Sequence, residues 1–340
     1  MIEIHEGFDL TQMTTFGLKV ECGRLIEYDN LDDLQWLHAE GLLHKALAIG
    51  GGSNLLFTQS EYSGTVIHNR SRSIEFQDCG EHILCHTAAG VTLDNLCEIT
   101  AEKGLWGLEN LSGIPGEIGG AAVQNVGAYG AEFKDVAVEV HTFDTIAGTQ
   151  RTFKVDECRY GYRDSIFKHP NFKDRYIIYS ATIALTKHYH PNLNYTALKA
   201  RFSDVAPDQI TPMKLRKAII ELRNFKLPDP AKVGSAGSFF KNPVVSAEIY
   251  NTICTKANCP VAAHRLASGE FKLSAAWLID NAGCKPLTVG GAALWPTQPL
   301  VLVNATGNAT PADVLTLSRQ VIARVKDEFN VELHPEVIQI

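Results

Sequence analysis

At 340 residues the chain is longer than one hydrophobic core usually supports, so two or three domains are expected. Hydrophobic residues at 45% and charged residues at 20% allow a buried core and exclude a disordered composition. A net charge of −7, with Lys and Arg scattered, excludes the concentrated positive field that a phosphate backbone requires, so nucleic acid is not an expected partner.

No uncharged stretch is long enough to cross a bilayer, and residues 1–6 have neither the basic start nor the apolar run of a signal peptide. A soluble, cytoplasmic protein without a membrane partner is expected. The eight cysteines are dispersed, form no Cys-x-x-Cys, and sit mostly among apolar neighbours, which reads as reduced core thiols. The histidines show no metal-ligand spacing, so no metal is expected. Without charge runs or a long apolar stripe, a monomer is expected.

In chain order, Leu31, Leu34 and Leu37 share a helical face, with Asn30 as N-cap and Gly41 as stop. Ala46 to Ile49 reads as a buried strand that breaks into Gly50, Gly51, Gly52, Ser53 and Asn54 before Leu55-Leu56-Phe57 resumes an extended run. A second strand is expected at Ile83-Leu84-Cys85. After it comes a helix on which Leu93, Leu96, Cys97 and Thr100 share a face and Gly104 ends the run. Between Leu111 and Ala131 lie six glycines. Val136 to Phe143, Thr152-Phe153 and Tyr176 to Leu185 read as strands. Thr211 caps a helix with Pro212 in its first turn and Leu215, Ile219 and Leu222 on its buried face. Lys226 to Pro230, with two prolines, suits a domain boundary. Helices are expected at Ser274 to Ala282 and Thr310 to Phe329, and the last residues, His334 to Ile340, look extended.

Bare backbone amides offer hydrogen-bond donors to a pyrophosphate, which is why nucleotide sites favour glycine turns. Neither glycine segment is a Walker loop, and neither is a Gly-x-Gly-x-x-Gly opening a long helix. Taken singly, each is as compatible with a tight turn as with a ligand cradle; together they favour a dinucleotide site. Tyr160-Gly161-Tyr162-Arg163-Asp164-Ser165 sets a cation beside aromatic rings, suited to a carboxylate or developing enolate, although a structural ion pair is the other reading of Arg163. Ser238, in Gly237-Ser238-Phe239-Phe240, puts a hydroxyl on a glycine-freed backbone and lacks the Gly-x-Ser-x-Gly of a nucleophile elbow. Glu336 lies in an apolar terminal stretch, where burial would raise its pKa and suit it to proton work; a surface glutamate is the alternative.

These segments, in this order, closely resemble the UDP-N-acetylenolpyruvoylglucosamine reductase (MurB) family, type I, over essentially the whole chain. The matching elements are Thr15-Phe16-Gly17, Gly50 to Asn54, Ser112-Gly113-Ile114-Pro115-Gly116, Gln124-Asn125-Val126-Gly127-Ala128-Tyr129-Gly130, Tyr162-Arg163-Asp164-Ser165, Gly237 to Pro243 and His334-Pro335-Glu336-Val337. Two departures stand out: Ile338 occupies a position where many members carry arginine, and Gly51 is a third glycine in the first loop.

The resemblance implies an α+β protein with an FAD-binding fold of the vanillyl-alcohol-oxidase type in two subdomains, residues 1–70 and 71–224. A substrate-binding domain, 225–330, would follow, with 331–340 returning to the active site. It implies non-covalent FAD held by Gly50, Gly51, Gly52, Ser53, Asn54, Ser112, Gly113, Ile114, Pro115, Gly116, Gly119, Gly120, Gln124, Asn125, Gly127, Ala128, Tyr129 and Gly130. Arg163, Ser238 and Glu336 would be catalytic, with Ser238 the proton donor. Tyr162, Tyr195, Lys226, Asn242 and Gln298 would bind the substrate, UDP-N-acetylglucosamine enolpyruvate, after NADPH has reduced the flavin in the same cleft. An oxidase on the same fold would share the glycine loops without the Arg163, Ser238 and Glu336 set, and a binding protein that has lost catalysis would hold no flavin.

Overall fold

The computed structural model describes residues 1–340, and the chain divides into two compact units. The first comprises 1–8, 22–51 and 63–225; the second comprises 9–21, 52–62 and 226–340.

Two sheets organise the first unit. One has four strands in the order Glu3–Asp9, Glu21–Tyr28, Glu61–Asn69 and Leu47–Ile49, the last pair parallel. Helix Leu31–Ala39 packs Leu34 and Leu37 against Ile26, Tyr28 and Ile67. The Asn30 side chain accepts from Asp33 N at 2.9 Å, and Gly41 follows the helix at φ +70°, so both ends are as expected.

The other sheet is antiparallel throughout, in the order Thr149–Lys154, Ala137–Asp144, Tyr176–Thr186, His82–Ala88, Ile74–Asp78. Helix Leu93–Glu102 buries Leu93, Leu96, Cys97 and Thr100, the face read from the sequence. A further cluster joins Trp106, Leu198 and Phe202 to Leu215 and Ile219 of helix Pro212–Lys226, with Leu222 only half-buried.

The second unit holds a four-stranded antiparallel sheet, Gly234–Ser238, Gln298–Asn304, Ala292–Trp295 and Thr288–Val289. Helices Ala275–Asn281 and Pro311–Phe329 contribute Leu278, Ile279, Leu317 and Val321 to its core. Thr310 and Asp313 form a reciprocal capping box at the start of the long helix. Ile338–Gln339 pairs in parallel with Leu55–Leu56. No helix is long and apolar enough to cross a membrane.

Asp144, buried at a strand end, accepts two bonds from Arg175 Nε at 3.0 Å, one from Nη2 at 2.6 Å, and two from the Ile146 and Ala147 amides at 3.0 and 3.1 Å. Burial opposes the carboxylate, but Arg175 and the amides outweigh it and hold the pKa down at about 2. Because the folded value lies below the unfolded one, the stabilisation is complete above about pH 4 and is lost as pH falls through 2. Urea unfolding of Asp144→Asn should therefore show a deficit of about 2 kcal/mol at pH 7 that shrinks at pH 3; a deficit independent of pH would contradict this origin.

Candidate functional site

The first glycine turn follows a strand whose end is buried, and each glycine has its own steric reason. A Cβ on Gly50 would lie 3.3 Å from Glu117 Oε2, and one on Gly51 would lie 3.2 Å from Gly116 Cα. Gly52 has φ +56°, and a Cβ there would sit 2.1 Å from Met13 O. Gly52 O accepts from Thr15 N at 3.3 Å, and Thr15 exchanges two bonds with Ser235: Ser235 N to Thr15 O at 2.9 Å and Thr15 Oγ1 to Ser235 O at 2.6 Å. The Thr15-Phe16-Gly17 motif, which had no role assigned from sequence, thus ties the turn to the strand that leads to Ser238. Ser53 is half-buried, and Asn54 is fixed by Ile338 N donating to its carbonyl at 3.0 Å and by its Nδ2 reaching Glu336 O at 3.4 Å.

The second glycine stretch is less bare than its sequence suggests. It contains a seven-residue helix, Ile118–Gln124, with Gly119 and Gly120 in its first turn. The Ile118 and Gly119 amides are committed to Val91 O and Ala89 O, both at 2.9 Å. Little of the helix start is left for an anion. A Cβ on Gly120, by contrast, would meet nothing within 4 Å.

Upstream, Ser112 is fully buried and its hydroxyl donates to Glu109 O at 2.7 Å. Gly113, at φ +71°, has its N–H bonded by Asp94 at 2.6 Å and its carbonyl by Arg223 Nε at 3.0 Å. Asp94 is itself held by the buried Arg216, Nη2 to Oδ2 at 3.2 Å. Ile114 N reaches back to Leu111 O at 3.4 Å, and after Pro115 the Gly116 carbonyl accepts from Leu93 N at 3.0 Å.

Downstream, Asn125 is buried at φ +43°, and its side chain is fully committed: Nδ2 to Glu132 Oε2 and Gly161 O at 3.0 and 2.8 Å, Oδ1 from Lys134 N at 3.0 Å. Gly127-Ala128 pairs with Ala131-Glu132 across a two-residue turn. Its central residues, Tyr129 and Gly130, both have positive φ, as such a hairpin demands. The Tyr129 ring meets Tyr195 edge-on at 5.0 Å, and burial raises its phenol pKa. Tyr195 is 37% exposed and stands at the start of helix Thr196–Arg201.

Arg163 adopts φ +55° in a tight turn in which Gly161 and Asp164 exchange backbone bonds. Its Nη2 donates to Gly127 O at 2.8 Å, and a Cβ on Gly127 would come within 3.3 Å of Nη1. Lys168 Nζ bonds both Arg163 O at 2.7 Å and Gln124 Oε1 at 2.9 Å, linking the turn to the short helix. Tyr162, 42% exposed, lies against the guanidinium at 5.4 Å. The guanidinium is thus held by backbone contacts on one side and lies near a ring on the other.

Ser238 ends strand Gly234–Ser238 beyond a register shift, immediately after Gly237 at φ +68°. Glu336 N donates to Phe239 O at 2.8 Å and Lys241 N to His334 O at 2.9 Å, with Phe240 bridging Pro335. This ladder sets Ser238 and Glu336 on adjacent backbone segments. Glu336 is half-buried and precedes the terminal strand Ile338–Gln339, whereas the sequence suggested a carboxylate buried inside a strand. Asn242 Oδ1 accepts from Ala275 N at 3.0 Å and so caps a helix. Lys226 is exposed and its carbonyl accepts from Thr297 Oγ1 at 2.8 Å; Gln298 is half-buried at the start of its strand.

The structure also assembles groups the sequence did not announce. His68 and Glu117 form a buried pair behind Gly50, and Glu3, His5 and Glu27 bring ligand-type atoms within 4.8 Å of one another. In that second group Glu3 is bonded by Arg70 and Glu27 by His68, so both carboxylates already have hydrogen-bonding partners.

Residues 34–154 match the family model described as FAD binding domain, and residues 229–340 match that described as UDP-N-acetylenolpyruvoylglucosamine reductase, C-terminal domain. The chain is an FAD-dependent oxidoreductase of the α+β class, with the flavin fold of the vanillyl-alcohol-oxidase type that the resemblance implied. It is 39% identical over 337 residues to the UDP-N-acetylenolpyruvoylglucosamine reductase of Bacteroides fragilis (strain YCH46), covering 98% of this chain and 99% of that protein. It is 40% identical over 333 residues to that of Escherichia coli (strain K12), covering 96% and 94%. A crystal structure of the reductase from Thermus caldophilus aligns at a TM-score of 0.69 and 24% identity over 100% of this chain and 98% of that one, a likeness of fold. The chain belongs to the UDP-N-acetylenolpyruvoylglucosamine reductase family. The Gly50-Gly51 turn and the open space beside Gly120 would suit the diphosphate of FAD, although the start of helix Ile118–Gln124 has few amides left to donate.

Gly17 and Gly52 separate conformational strain from steric collision. Both have positive φ, but a Cβ on Gly17 would meet nothing within 4 Å. Urea unfolding should therefore place the cost of Gly17→Ala at about 1 kcal/mol, for the left-handed backbone alone. Gly52→Ala should cost about 3 kcal/mol, because overpacking against Met13 adds to the same strain. Equal costs would show that the Met13 contact is not constraining.

Proposed function

We propose that the chain reduces the enolpyruvyl group of UDP-N-acetylglucosamine enolpyruvate to the lactyl ether of UDP-N-acetylmuramate, a step of peptidoglycan precursor synthesis, with NADPH as reductant. The observation that supports the mechanism is the backbone ladder that brings the segments carrying Ser238 and Glu336 side by side.

Bound FAD supplies, from NADPH, the hydride that reaches the enol-ether carbon β to the substrate carboxylate. The residues then have separable tasks. Arg163 takes the carboxylate, on which negative charge grows as the β carbon gains hydride, and its backbone anchoring means little reorganisation is needed at that moment. Glu336, as a carboxylic acid, donates its O–H to the same carboxylate. Ser238 gives its hydroxyl proton to the α carbon, completing the addition across the double bond. Tyr162, Tyr195, Lys226, Asn242 and Gln298 grip the UDP-sugar, Tyr195 from a partly exposed segment.

The glycine segments Gly50 to Asn54 and Ser112 to Gly130 hold the cofactor. On this reading residues 1–70 and 71–224 serve as the two flavin subdomains and 225–330 serve the substrate, with 331–340 bringing Glu336.

Stopped-flow measurement separates the half-reactions. Ser238→Ala should leave flavin bleaching by NADPH nearly unchanged while steady-state turnover with the enolpyruvyl sugar falls by about 10²–10⁴-fold, the range for a lost general acid. Unimpaired turnover would remove Ser238 from the mechanism, and a yellow protein that ignores the sugar would remove the substrate assignment.

A further inference from the structure

His68 lies on strand Glu61–Asn69 with a carboxylate oxygen against each ring nitrogen. Nδ1 is 3.2 Å from Glu27 Oε1, and Nε2 is 3.2 Å from both oxygens of Glu117. A neutral imidazole carries one N–H and can satisfy one of these acceptors; only the cation donates to both. The geometry therefore calls for an imidazolium. In agreement, although burial disfavours the charge, Glu117 and Glu27 raise the His68 pKa above its ordinary value.

Other charged and titratable groups face this cluster from neighbouring segments, among them Arg70, whose charge acts on Glu27 and which pairs with Glu3, itself 3.6 Å from His5 Nε2. Arg72 Nη2 donates to Glu117 Oε1 at 3.3 Å, and His5 Nε2 stands 3.9 Å from Glu27 Oε2. The buried Tyr28 phenol, whose ionisation burial suppresses, also feels Glu117.

Glu117 is 6% exposed, and its carboxylate lies directly behind the Gly50-Gly51 turn, 3.3 Å from where a Gly50 Cβ would be. An uncompensated buried anion there would repel a diphosphate resting on the turn. We propose that the His68 imidazolium, assisted by Arg72, is the counter-charge that lets the Gly50-Gly51 turn accept the diphosphate of FAD, so that FAD retention depends on the second proton of His68. This rests on the reading above that the turn holds that diphosphate. His68 is a positioning residue: it acts through Glu117. Retention should be strong while His68 is protonated and weaken as pH rises through its raised pKa.

The test is FAD release from the holoenzyme, followed by recovery of flavin fluorescence on serial dilution between pH 6 and pH 9. The wild type should lose about tenfold in affinity across that range, the order expected for one charge at several ångströms in a partly screened site. His68→Gln should be weak and flat with pH. Glu117→Gln should be flat and as tight as the wild type at pH 6, because it removes the anion that needed neutralising. A flat wild-type profile, or a Glu117→Gln variant as weak as His68→Gln, overturns the proposal. Gly120→Asp tests the reading beneath it: the Gly120 amide lies 3.8 Å from where a Gly50 Cβ would be, so the new carboxylate stands beside the turn, and aspartate is at home in a helix's first turn with open space at this position. If that variant keeps its FAD, the loop reading fails and this proposal with it; if it loses FAD while the wild-type profile is flat, only the role of His68 falls.

Discussion

A backbone stripped of side chains has no means of holding itself, and every other feature of the site depends on how that is solved. Glycine loses more conformational freedom on folding than any other residue, and in a turn it has no packing to offset the loss. In this chain the restraint is supplied from outside. Gly113 is bonded on both faces of its peptide by charged side chains, Asp94 at the nitrogen and Arg223 at the carbonyl, and Asp94 is steadied by Arg216. Each hydrogen bond to a charged group is worth about 1.5–3 kcal/mol, more than the entropy of fixing one residue. A glycine loop so clamped behaves as a rigid surface.

The same logic reaches the residues that would do chemistry. Arg163, Asn125 and Tyr129 are non-glycine residues with positive φ, a conformation that persists only where neighbours over-determine it. The neighbours are identifiable. Asn125 spends its whole side chain on Glu132, Gly161 and Lys134, and Lys168 bonds the Arg163 carbonyl. Gly127 leaves room for the guanidinium it also bonds. Two of the positions read from sequence as cofactor contacts, Ser112 and Asn125, have side chains turned inward to build the loop, so what they can offer a ligand is backbone.

Local order was legible wherever it is encoded locally. The helices starting at Leu31, Leu93 and Pro212 carry their apolar spacing, and a cap or a stop, in neighbouring residues, and the structure has them where those signals put them. The antiparallel strands from Ala137 to Thr186 announced themselves by long β-branched and aromatic runs. The second unit's sheet did not: two of its strands have two and four residues, too short for periodicity, and Gln298–Asn304 is buried on both faces and so reads as an unbroken apolar run. The short helix Ile118–Gln124 was hidden because its glycines argue against helix, and contacts from Val91 and Ala89 override that propensity. His68 and Glu117, 49 positions apart, carry no local signal of their pairing.

The five residues Gly50 to Asn54 show why a motif can be recognised without being understood. As letters they are one pattern. In the structure Gly50 and Gly51 answer to Glu117 and Gly116, whereas Gly52 answers to Met13 and Thr15, and Asn54 to Glu336 and Ile338. The three glycines face three different neighbours, in tight contact at Gly50 and Gly51 and in outright collision at Gly52, and none of these partners is a neighbour in sequence. Substituting any one of them would therefore disturb a different part of the molecule: the Glu117 cluster, the crossing at Gly116, or the Thr15 tie to the strand carrying Ser238. A pattern that is one word in the sequence is, physically, a set of independent constraints.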